Sequence, residues 1–208
     1  MSSEKIILSK KDYILISIIG FSFALFSIPI LKNIDLPFIK IDAFFVALLI
    51  TFFTIFAVFA LWIASLIGRM LPVAFQFAKF GAIGAFNTFL DWGILNSLIA
   101  LTGFATGVHY AIFKGFSFSI ATISSYFWNK YWTFESTQET DASEVGKFIF
   151  ISLIGVLINV GLASLVVASL TPMHIMSPAR LANLGAATAT IVSLFWNFIG
   201  YKIWVFKK

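Results

Sequence analysis

Six apolar runs separated by short polar stretches make up most of the chain: about Tyr13 to Leu31, Phe44 to Ile67, Phe80 to Leu101, Val108 to Trp128, Phe148 to Leu170 and Leu181 to Ile203. A helix needs about 20 apolar residues to cross the hydrocarbon core of a bilayer, and every run is of that order. The pattern predicts an all-α integral membrane protein with about six transmembrane helices. The first run follows Lys10 and Lys11 but is longer than a signal-peptide core, and no small-x-small cleavage pattern follows it. It is therefore expected to be a retained span.

Composition strengthens this reading. Of the 208 residues 60% are hydrophobic and 11% charged, and the mean hydropathy is +0.99; soluble domains are about 45–50% apolar and about 25% charged. No large extramembrane domain is expected. The chain has no cysteine, which excludes a disulfide framework, a thiolate metal site and a cysteine nucleophile. The formal charge of +5 falls between the apolar runs, so it reads as a topology signal and not as a nucleic-acid surface. With the amino terminus in the cytoplasm, that side collects Lys5, Lys10, Lys11, Arg69, Lys79, Lys130, Lys147, Lys202, Lys207 and Lys208, against Lys32, Lys40 and Arg180 opposite. Both termini are thus expected in the cytoplasm of a multi-pass protein of the cytoplasmic membrane. The connector from Glu135 to Gly146, with Glu135, Glu139, Asp141 and Glu144, reads as a solvated cytoplasmic loop.

Shifting the chain by 72 positions lays Lys130-Tyr-Trp-Thr-Phe134 on Lys202-Ile-Trp-Val-Phe206 and Asn87 on Asn159. Two anchors at one offset point to a duplicated two-helix unit, with copies at about 75–134 and 147–206. An even number of spans per copy makes the repeats parallel. The chain then divides into a two-helix extension, 1–70, and a four-helix core, 71–208. The K-x-W-x-F endings are expected at headgroup level, where a Trp ring is stable and a Lys reaches lipid phosphate.

Polar residues inside spans are the candidate chemistry. A charge near the bilayer centre costs about 3 kcal/mol or more and faces a partner or a cavity. Asp91 lies midway along the third span and Lys114 about two turns into the fourth. If they pair, the ion pair holds a helix hairpin together; if they do not, Lys114 is placed to meet an anionic headgroup. Asn87, Asn96, Asn159 and Asn197 also fall in spans, with Gly81, Gly84, Gly155 and Gly161 nearby. Small residues permit close helix approach with Asn amides bonding across it, while Asn87, Thr88 and Asp91 together make a hydrophilic stripe suited to sugar hydroxyls. His109 and His174 lack ligand spacing. There is no nucleophile and base arrangement, no phosphate-cradling glycine loop and no nucleotide motif, so neither an enzyme nor a cofactor is expected.

Lys79-Phe80, Gly84, Asn87-Thr88, Asp91, Asn96, Lys114 and Tyr126-Phe-Trp-Asn-Lys-Tyr-Trp-Thr-Phe134 resemble the pattern of the GtrA-like family. Gly155, Asn159, Trp196-Asn197-Phe198 and Tyr201-Lys-Ile-Trp-Val-Phe206 are similar to its repeated ending. The resemblance spans about Leu71 to Lys208. The second half departs from the first, because Ala163 and Ala186 stand where Asp91 and Lys114 stand.

The resemblance implies translocation of a polyprenyl-phosphate-linked monosaccharide across the cytoplasmic membrane, for glycosylation of surface polysaccharide. Lys114, Lys130 and Lys202 would contact phosphate, and Asn87, Asp91 and Asn159 would line a polar path. Asn129, Trp132, Asn197 and Trp204 complete the expected substrate-binding set. The alternatives are a non-catalytic subunit that anchors or stabilises a membrane glycosyltransferase and, ranked lower, a small-molecule exporter using Asp91 as proton carrier. Besides the glycolipid and membrane lipid, the partners expected are a glycosyltransferase and, because the bundle is thin, a second copy of the chain.

Overall fold

A computed structural model describes residues 8–34, 40–104, 107–173 and 178–206. Along these described residues six α-helices follow one another: α1 (Lys10–Ile34), α2 (Ala43–Gly68), α3 (Pro72–Thr102), α4 (Gly107–Trp128), α5 (Ala142–Leu170) and α6 (Pro178–Gly200). Among the described residues α1, α2 and α5 are long and apolar enough to cross a membrane on length and composition alone. The other three have 31, 22 and 23 residues. They reach spanning length too, and they carry most of the intramembrane polar residues.

Local sequence sets the helix ends. Ser9 and Asp12 cap α1 reciprocally: the Asp12 amide donates to Ser9 Oγ at 3.1 Å, and the Ser9 amide donates to Asp12 Oδ2 at 3.0 Å. Asp42 accepts from the Phe45 amide at 2.9 Å to cap α2. Pro72 opens α3, and Gly103 closes it at φ +75°, a left-handed conformation that glycine adopts without a Cβ clash. The acidic connector is shorter than expected. Asp141 accepts from the Glu144 amide at 2.6 Å, so α5 begins at Ala142 and takes Glu144 into its first turn, where it is buried.

Both α4 and α6 end in a π-helical turn, Asn129–Thr133 and Tyr201–Val205. These turns carry the two K-x-W-x-F elements and lie at the same offset of 72 positions. The π turn is an uncommon conformation that recurs at functional sites.

Two compact units form, residues 1–133 and 134–208. In the first, α1 packs on α2 and α3, and α3 packs on α4. Its core joins Ile16 and Ile19 of α1, Leu61 of α2, Phe75, Ile83, Phe86 and Leu90 of α3, Ala121 of α4 and Trp132. The extension expected at 1–70 is therefore continuous with the packing of the next two helices. In the second unit α5 packs on α6, and Phe134, Phe148, Tyr201 and Phe206 form one aromatic cluster.

Of the four glycines expected at close helix approaches, one makes such an approach, and other glycines do so elsewhere. A Cβ on Gly81, Gly84 or Gly161 would meet open space. One on Gly20 would come within 2.6 Å of the Phe53 carbonyl oxygen, and one on Gly200 within 2.7 Å of Ile151. Gly155 fits the expectation, because the Asn197 amide lies directly against it.

Candidate functional site

The first unit contains two polar centres along α3. At the inner one, Lys114 of α4 forms an ion pair with Asp91 Oδ2, and Ser117, one turn further on, donates to Asp91 Oδ1 at 2.6 Å. Both carboxylate oxygens are thus held from α4, as suits a charge taken out of water. The Lys114 side chain keeps 38% of its exposure and Asp91 only 12%. The pairing left open by the sequence is therefore made, and Lys114 still has an accessible face. Ser117 was not among the expected site residues, and it is fully buried.

Asn87 lies one helical turn before Asp91 on α3, on the same face. It is 8% exposed, and neither its amide nitrogen nor its oxygen has a hydrogen-bond partner. Each such orphan group costs about 1–3 kcal/mol. Ordinary packing would select an apolar residue here. Thr88, its neighbour, turns its hydroxyl to the Gly84 carbonyl of its own helix and is exposed, so the expected stripe reduces to Asn87 and Asp91.

The second centre lies where α1 and α3 begin and α4 ends. Lys79 forms an ion pair with Asp12 at 2.6 Å, and both are buried. The Trp132 indole N–H donates to the same Oδ1 at 2.9 Å, and Ser9 Oγ donates to Oδ2 at 2.7 Å. The Lys79 ammonium also sits 4.8 Å from the Phe75 ring centroid and 5.5 Å from that of Trp132. Alongside, Lys11 Nζ donates to the Tyr131 carbonyl and Gln76 to that of Thr133. These two bonds take carbonyls that the π turn leaves open.

This geometry corrects the interfacial reading of the first K-x-W-x-F element. Trp132 is 1% exposed and Lys130 is fully buried, with its ammonium 5.8 Å from the rings of Tyr126 and Tyr131. Asn129 is buried as well; its amide nitrogen donates to the Ser125 carbonyl at 2.8 Å, and its oxygen is unpartnered.

The second unit's copy differs. Trp204 is 43% exposed and packs edge-on against Phe150. Lys202, half-buried, lies over the Phe198 ring. Asn159 donates to Ser193 at 3.1 Å and contacts Thr190, tying α5 to α6. Asn197, against Gly155, has an unpartnered buried oxygen. Asn96 bonds the Trp92 carbonyl of its own helix, and His109 stacks on Phe104; His174 lies outside the described residues.

A helical membrane protein with a charged pair joining two spans and an unsatisfied buried amide one turn away is the class that fold and site define. The profile of the GtrA/DPMS transmembrane domain matches residues 79–206, and the chain belongs to that family. It is also 29% identical over 128 residues to the uncharacterized membrane protein YngA of Bacillus subtilis (strain 168), covering 62% of this chain and 77% of the relative. No solved structure matches the chain.

Proposed function

We propose that the protein is a flippase or facilitator that moves a polyprenyl-phosphate-linked monosaccharide from the cytoplasmic to the outer leaflet of the cytoplasmic membrane, for glycosylation of surface polysaccharide, with both termini cytoplasmic. Family membership supports the class. The observation that carries the reading is Asn87: a buried amide with no partner, one turn from an ion pair whose lysine remains partly accessible.

A sugar phosphate cannot enter hydrocarbon without replacements for its hydration. Asn87 offers a donor and an acceptor to sugar hydroxyls. Lys114 offers a cation to phosphate, and Asp91 and Ser117 keep that cation neutralised and in place between passages. The polyprenyl tail stays in the membrane throughout. Flux follows the glycolipid gradient.

The test is exchange of a short-chain polyprenyl-phosphate sugar between leaflets of liposomes holding the purified protein. Exchange above empty liposomes that falls with Lys114→Ala supports the proposal, whereas folded protein giving none refutes it. A non-catalytic subunit of a membrane glycosyltransferase is the second reading. It is favoured by the exposed aromatic ridge of α2, where Phe52 stacks on Phe56 and Phe59 on Trp62. Co-purification with the transferase that survives Asn87→Leu but not alanines along this ridge would support it.

A further inference from the structure

We propose that α1, α2 and α3 form a binding groove for one acyl chain of a membrane phospholipid. Between these helices lies a cavity of about 360 Å³. Ile16 and Ile19 of α1 make its buried floor, Phe53 and Ala57 of α2 one wall, and Ala78, Ala82 and Ala85 of α3 the other. The three alanines stand at i, i+4 and i+7, so they form one stripe about 10 Å long on α3. Their short side chains leave a space that longer ones would fill. At the rim Phe56, Ala60 and Ala85 are exposed, so the cavity opens sideways.

Size and chemistry select the occupant. Voids larger than a water molecule are few in protein interiors, and this one has room for about a dozen waters at about 30 Å³ each. None of its lining residues has a polar side chain, so water finds no partner there and stays out. A helix with its side chains is about 10–12 Å across and over the same length fills roughly 800 Å³ or more, too much for a helix of a second copy. A single hydrocarbon chain is thin enough. Both α1 and α2 are long and apolar enough to span a bilayer, so hydrocarbon is what meets the rim. Gly20 abuts Phe53 and Thr54 while Ile16 and Leu61 share the core; the two helices therefore run antiparallel, and the start of α1 lies beside the end of α2. Lys10, Lys11 and Arg69 are exposed at that end, within about two turns of Ile16 or Leu61, and their charge suits the phosphate of a lipid whose chain lies in the groove. Phospholipid is the medium around the spans, so mass action fills the groove even at modest affinity.

The floor and one wall come from helices that precede the family-matched segment 79–206, so the groove gives the extension a role of its own, a lipid-sealed seam against α3. It needs no transport, and a negative flipping assay leaves it untouched. The experiment is photolabelling of the full chain in nanodiscs with a phosphatidylglycerol that carries a diazirine in its acyl chain. Adducts should concentrate at residues 53–61 and 78–85, and excess unlabelled phosphatidylglycerol should suppress them. Ala82→Phe fills the groove and should lose these adducts, whereas Ala100→Phe, exposed on the same helix outside the groove, should keep them. Ala85→Leu narrows the rim without entering the floor and should show the same loss, which covers the case of an Ala82→Phe protein that does not fold. Adducts spread evenly along α1 to α6, or unchanged in a folded Ala82→Phe or Ala85→Leu protein, overturn the proposal. Suppression by polyprenyl phosphate but not by phosphatidylglycerol gives the groove to an isoprenoid chain and overturns the acyl assignment.

Discussion

Asp12 and Trp132, 120 positions apart, meet through a 2.9 Å hydrogen bond from the indole N–H to the carboxylate. Lys79 completes the contact on the same oxygen. Three helices are joined at one buried point, so the bond binds the extension to the family-matched helices. Asp12→Ala removes the carboxylate that faces both the buried Lys79 ammonium and the Trp132 indole and should cost about 3–5 kcal/mol. Trp132→Phe removes one bond to a charged group and should cost about 1.5–3 kcal/mol. Reversible unfolding in detergent checks both, and a double-mutant cycle should show coupling above about 0.5 kcal/mol. Losses no larger than for the exposed Lys11→Ala would contradict the arrangement.

The two partners of Asp91 should not matter equally for stability. Ser117 is fully buried and bonds the carboxylate at 2.6 Å, so Ser117→Ala should cost about 1.5–3 kcal/mol. The Lys114 side chain is over a third exposed, and a glutamine there keeps an N–H that can face Asp91, so Lys114→Gln should cost less than Ser117→Ala. The reverse order in unfolding measurements would make Lys114 a structural residue first.

Glycine substitutions should separate contact from mere proximity. Gly20→Ala pushes a Cβ against the backbone of Phe53 and Thr54, which cannot yield without parting α1 from α2. It should lose about 1–3 kcal/mol. Gly161→Ala meets nothing and should gain about 0.4–1 kcal/mol from the stiffer unfolded chain. Thermal midpoints read both, and similar shifts in one direction would count against the packing described.

The helices were legible in the sequence because run length alone determines what spans a bilayer. The partnership of Asp91 with Lys114 was legible as one of two alternatives, since two unlike charges on adjacent antiparallel spans have few other partners. The centre at Asp12 was not. Lys10, Lys11 and Asp12 look like ordinary headgroup-level charges, and although Ser9-Lys-Lys-Asp12 is a capping pattern, nothing local names Lys79 or Trp132 as partners. The unequal burial of the two K-x-W-x-F elements was equally hidden: Trp132 is 1% exposed and Trp204 43%, from the same motif, because tertiary neighbours decide. The π turns escaped because no side-chain spacing in the motif specifies that backbone.

Leaflet exchange by Asn87→Leu, measured beside its thermal stability, tests the proposed polar path most directly. The substitution removes an orphaned buried amide and keeps the same branched four-atom side-chain skeleton, so the variant should be as stable as wild type or more so. Asn87→Leu should nonetheless lose exchange of the polyprenyl-phosphate sugar. Wild-type exchange by a stable Asn87→Leu protein would contradict the proposed path.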